Sequence, residues 1–142
     1  MSRIIKQDST GRLRATLVRG IALALRELSR QSATGDEARD LVAFIALALA
    51  EISAGIDPSV AAWEKRGYWV KADKFRMEWA WSGPLAAKMK AALSADDWAA
   101  VAGLAAQTAG KISNVQVAQR HRLGKPWLGA YQRLIGQLPA KG

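Results

Sequence analysis

Residues 34–55 read TGDEARDLVAFIALALAEISAG, and from Leu41 to Ile52 the only charged side chain is Glu51. A helix without a polar face must be covered on most sides, so this segment is expected to be either a central core helix or an oligomer interface. Its start carries capping-box spacing: the Thr34 hydroxyl is three residues from Glu37, whose carboxylate can reach back. Asp36, Glu37 and Asp40 stand in the first turns, where the helix dipole favours negative charge. Gly55 supplies the expected stop.

Before this segment, a helix is expected from about Thr10 to Gln31. At 100° per residue, Leu13, Leu17, Ile21, Ala24 and Leu28 share one face. Arg12, Arg19, Arg26 and Arg30 fall within about 40° of one another on the opposite face, because steps of seven and four residues nearly close whole turns. After it, Asp57-Pro58 reads as an N-cap followed by proline at the first helical position, opening a helix that runs to Gly67.

The stretch YWVKADKFRMEWAW, residues 68–81, carries two separated apolar stripes if it is one helix. Tyr68, Ala72, Phe75 and Trp79 form the first, and Val70, Met77 and Trp81 the second. Two stripes imply two things to pack against. Ser82-Gly83-Pro84 then starts a helix with Leu85, Met89 and Leu93 inward. Ser94 is expected to cap the next one, which turns Trp98, Val101, Ala105 and Thr108 to one side. Residues 111–123 fit neither a helix nor a strand well. Trp127, Tyr131, Leu134 and Leu138 mark a last helix. No segment sustains strand alternation, so the chain is expected to be all-α: one bundle of five to seven helices over 1–142, with flexible ends at 1–9 and 139–142.

Composition narrows the chemistry. Half of the 142 residues are hydrophobic, enough for a real core, and the net charge is +9. The charge is concentrated at both ends. Residues 1–35 hold seven bases against Asp8 and Glu27, and residues 111–142 hold Lys111, Arg120, Arg122, Lys125, Arg133 and Lys141 with no acid. There is no cysteine and only one histidine, His121. That excludes disulfides, thiol nucleophiles and metal sites built from several imidazoles. Glycine-rich phosphate loops and Glu-x-x-His pairs do not occur. His121, between two arginines, is expected at the surface, without an obvious partner for base catalysis. No cofactor, metal or catalytic residue is assigned, and the expectation is a protein that is not an enzyme.

Binding surfaces remain. Acid-free basic surface suits phosphate backbones, and the candidate polyanion-binding residues are Arg12, Arg19, Arg26, Arg30, Arg120, Arg122 and Lys125. No recognition helix accompanies them, because the helix after Ser32–Gly35 is acidic at its start and apolar afterwards. A solvated cationic face accounts for them better. Six tryptophans, four of them between residues 63 and 81, could stack bases. Core filling accounts better for the stripe ending at Trp79, and places Val70, Met77 and Trp81 as the candidate partner or oligomer surface.

The opening MSRII, the helix RLRATLVRGIALALREL, the segment GDEARDLVAFIALALAEI and above all AWEKRGYWVKADKFRMEWAW resemble a family of uncharacterised bacterial helical proteins. The resemblance covers most of the chain. It implies the helical fold and carries no activity, cofactor or catalytic residue.

The expected function is therefore that of a non-enzymatic helical bundle acting through protein–protein contacts, as a homo-oligomer. The rival is a nucleic-acid-associated or acidic-partner-binding protein that uses the basic faces. Membrane association is the least favoured reading. The apolar run Leu41–Ala50 is short of the ~20 residues a span needs, and the Leu13–Leu28 face has core spacing. The Ile21–Leu25 stretch is too short for a signal-peptide core, so a cytoplasmic location is expected.

Overall fold

The computed structural model describes residues 7–137. Seven α-helices follow one another among them, with no strand. They are α1 (Gln7–Ser29), α2 (Asp36–Ala54), α3 (Ile56–Lys65), α4 (Trp69–Trp79), α5 (Ser82–Ser94), α6 (Trp98–Lys111) and α7 (Ala130–Gln137). The expectations for the chain ends and for Leu138 fall wholly or partly outside the described residues.

The all-apolar segment is the axis of the bundle. Leu41, Val42, Ala43, Ile45, Ala46 and Leu49 of α2 are fully buried, and α2 packs on α1, α5 and α7. Of the two alternatives its sequence left open, core helix is the one realised. Together α2 and α3 form a continuous run, Asp36–Lys65, long and apolar enough by length and composition to cross a membrane; more than half of its apolar window is buried inside the bundle.

The joints differ from their sequence reading. The Thr34–Glu37 capping box does not form: Gly35 is the N-cap, with no side-chain cap bond. Glu37 instead accepts from Trp127 Nε1 at 3.4 Å, while Asp40 accepts from the backbone N–H groups of Gly129 and Tyr131 at 3.1 and 2.9 Å. Tertiary partners thus claim two of the acids assigned to the start of α2. Gly55 caps the end of α2 as expected, and it also serves as the N-cap of α3. Its backbone is right-handed helical, and Ser59 N–H already bonds its carbonyl, so Asp57 and Pro58 lie inside the first turn of α3 and not at its cap. Ser94 ends α5, and the cap of α6 is Asp97, which accepts from Ala100 N–H at 3.0 Å.

Helix α1 keeps its expected face, with Leu17 and Leu28 also packed on the core, and widens it to both sides. Ile21 and Ala24 are buried as anticipated, but so are Val18 and Leu23, whereas Leu13 is exposed. On α5 the expected seam of Leu85, Met89 and Leu93 is buried throughout. Residues 112–129 contain no helix. They cross the bundle as turns and irregular chain, with Ile112 and Trp127 anchored in the core.

The helices α3 and α4 form a hairpin that packs mainly on itself. Ile56, Val60, Ala72 and Phe75 make a small core of their own, closed by Trp63, whose ring meets Phe75 edge-on at 4.9 Å. Trp79 belongs to both this core and the main one. The Arg14 guanidinium of α1 stacks on Phe75 and Trp79, 4.6 and 5.6 Å from their centroids, which ties the hairpin to α1.

Candidate interaction site

The tip of the hairpin follows from one glycine. Gly67 adopts φ +83°, its N–H bonds the Glu64 carbonyl, and Tyr68 N–H bonds the Trp63 carbonyl. This is the Schellman closure, which requires a left-handed residue just past the helix. It swings Tyr68 out of the helix, so α4 begins at Trp69. Tyr68, expected in the core, is 54% exposed; beside it Trp69 is 61% and Val70 72% exposed, and two turns on Met77 is 72% exposed. These side chains lie at the tip of the hairpin and on the face of α4 turned away from Phe75. A groove at the tip is lined by Tyr68, Trp69, Val70, Lys71 and Lys74.

The two α4 stripes therefore have different fates. Ala72 and Phe75 of the first are buried and Trp79 is half-buried at the junction, while Val70 and Met77 of the second face solvent. Trp81 does not join them. Because α4 ends at Trp79, Trp81 falls at the N-cap of α5, half-buried, donating Nε1–H to the Glu78 carbonyl at 2.8 Å. Its ring stacks obliquely on Trp79, with centroids 6.0 Å apart.

Trp79 and Trp81 line a cleft of about 330 Å³ between α1, the end of α4 and the chain after α6. Val18, Ile112 and Val115 add apolar wall; Arg14, Arg19, Lys111 and Glu78 supply charge. Burial pushes the Arg14 guanidinium below its ordinary pKa, and the negative charge of Glu78 offsets part of that.

The proposed arginine stripe is divided. Arg26 turns inward, donating to the carbonyls of Val117 and Ala118 at 2.6 and 3.3 Å, with its Nε buried and without an acceptor among the described residues. Arg30 pairs with Glu27 at 3.2 Å. Arg12, Arg19, Arg120, Arg122 and Lys125 are exposed. His121 is half-buried, its Nδ1 accepting from Leu123 N–H at 3.2 Å. Among the described residues no cluster of His, Asp or Glu is placed to hold a metal ion.

The sequence reading missed two residues that matter here. Trp69 lies on neither stripe, and the signal that exposes it is Gly67, which ends α3 and resets the helical phase. Arg14 stands outside the arginine stripe, four residues before buried Val18, on the side of α1 that meets the hairpin.

No family model, curated protein or solved structure matches the chain.

Proposed function

We propose that the chain is a non-enzymatic interaction protein that acts through protein–protein contacts and self-associates through the exposed face of α4. The supporting observation is the uncovered apolar group Tyr68, Trp69, Val70 and Met77, carried on a hairpin that holds itself together. Aromatic and methionine side chains exposed as a patch are the composition of interface centres.

A second copy is the occupant that the pattern favours. Asp73 and Lys74 lie three and four residues from Val70, and four and three from Met77, so one acid and one base sit between two apolar residues. A copy laid antiparallel sets Val70 against Met77 of its partner, with positions 73 and 74 at the centre. The centre carries no net charge, so the overall +9 does not oppose contact there. Asp73 also pairs with Arg76 at 2.9 Å, and Arg76 in turn with Glu64 at 3.7 Å, so the charges around the line are balanced locally.

Light scattering after size exclusion tests this. The chain should form a dimer at micromolar concentration, and the double variant Val70→Ser/Met77→Ser should elute as a helical monomer. A wild-type chain that stays monomeric at hundreds of micromolar contradicts the reading, as does a dimer that the double variant leaves intact. If the hairpin served a membrane instead, the monomer would float with anionic vesicles.

A further inference from the structure

We infer that the cleft holding Trp79 and Trp81 is a binding site for a small planar aromatic molecule bearing one carboxylate or phosphate. This goes beyond self-association and uses a different surface from the Val70–Met77 face. The cleft, about 330 Å³, is at the lower end of the range of small-ligand sites, which suits a one- or two-ring compound.

Its chemistry is divided in the manner such a ligand needs. The two indoles, half-buried with their centroids 6.0 Å apart, provide apolar ring surface. Trp81 is held in place by its Nε1–H bond to the Glu78 carbonyl, so its ring is positioned before any ligand arrives. Among the described residues, Arg14, Arg19 and Lys111 border the same space with only Glu78 opposing them, an excess of positive charge at the mouth.

Arg14 is the decisive group. Its guanidinium rests on the Phe75 and Trp79 rings, partly withdrawn from water. Among the described residues it makes no hydrogen bond and no ion pair within 4 Å. A planar fork of N–H donors in that position matches a carboxylate or phosphate bidentately, and partial desolvation strengthens the bond. An aromatic ring attached to the anion then lies against the indoles. Glu78 selects against a second acidic group on the ligand.

Intrinsic tryptophan fluorescence reads the site directly. The titrants are 1-naphthoate and adenosine 5′-monophosphate, with 1-naphthalenemethanol and adenosine as neutral counterparts and inorganic phosphate as the anion without a ring. At least one aromatic anion should quench saturably, roughly tenfold or more tighter than its neutral counterpart and than inorganic phosphate. The anion with the larger gain over its own neutral counterpart identifies carboxylate or phosphate as the natural headgroup. Arg14→Gln should weaken it by about tenfold or more. Arg19→Gln, at an exposed position that leaves the ring contacts intact, should weaken it less, and Met77→Ser not at all. No saturable quenching by either anion at millimolar concentration overturns the inference. So does equal binding of the neutral compounds, or an affinity that neither arginine variant changes. The Met77→Ser control separates this outcome from failure of the self-association reading.

Discussion

The guanidinium of Arg26 in α1 donates to the backbone carbonyl of Val117 at 2.6 Å, joining residues 91 apart in sequence. With the second bond to Ala118 at 3.3 Å, it fastens the non-helical chain after α6 to the side of α1. Irregular backbone has carbonyls that no helix ladder satisfies, and a fork of donors is well shaped to serve two of them.

Arg26→Ala should therefore act on stability first. Losing charge-assisted bonds to two carbonyls at a half-buried position is expected to cost about 1–2 kcal/mol. Arg26→Lys, which supplies one compact donor group in place of the fork, should recover only part of this. Thermal unfolding measures the total, and amide exchange over residues 112–123 should rise in Arg26→Ala before exchange in α2 does. An unchanged melting temperature would return Arg26 to the solvated stripe.

Asp40 joins α2 to α7 in a comparable way. Its two carboxylate oxygens take the N–H groups of Gly129 and Tyr131, so an acid 90 residues upstream serves the start of the last helix. Asp40→Ala should cost about 1–2 kcal/mol, the range for a lost N-cap. Asp40→Asn should fall between, because an amide has one accepting oxygen for two donors. Urea unfolding separates the three proteins; equal midpoints for all would contradict the cap.

Gly67 sets the hairpin tip. A Cβ added there meets nothing within 4 Å, so Gly67→Ala tests backbone conformation alone. The left-handed geometry should cost about 1 kcal/mol once the stiffer unfolded chain is counted, and Gly67→Asn should cost less. The loss should be local, loosening Trp63 and Phe75 while the α2–α5 packing keeps its protection in amide exchange.

The strongest patterns were legible before any coordinates. The α2 segment and the Leu85–Met89–Leu93 seam of α5 are buried because each has essentially one way to hide its apolar surface. The width of the buried face of α1 was not legible. Val18 and Leu23 lie about 100–120° to either side of the expected stripe, and only the neighbours packed around α1 decide that they are buried while Leu13 is exposed. The roles of Asp40 and Arg26 were equally hidden, since each partner lies about 90 residues away and is a backbone group with no sequence signature. At the candidate site, the exposure of Val70 and Met77 fitted their reading as a separate stripe, while Tyr68 and Trp81 were misplaced by treating residues 68–81 as one helix. Gly67 and the break after Trp79 cut that helix at both ends.

The chain contains no cysteine, so a single introduced thiol reports on the proposed α4–α4 contact without interference. In an antiparallel pair centred between residues 73 and 74, Lys74→Cys lies beside its symmetry mate, whereas Ala99→Cys sits exposed on α6, away from the contact. Mild oxidation followed by non-reducing electrophoresis should convert Lys74→Cys largely to a covalent dimer and leave Ala99→Cys monomeric. Equal cross-linking of the two variants, or none in Lys74→Cys at a concentration where the wild type is dimeric, would contradict self-association through α4.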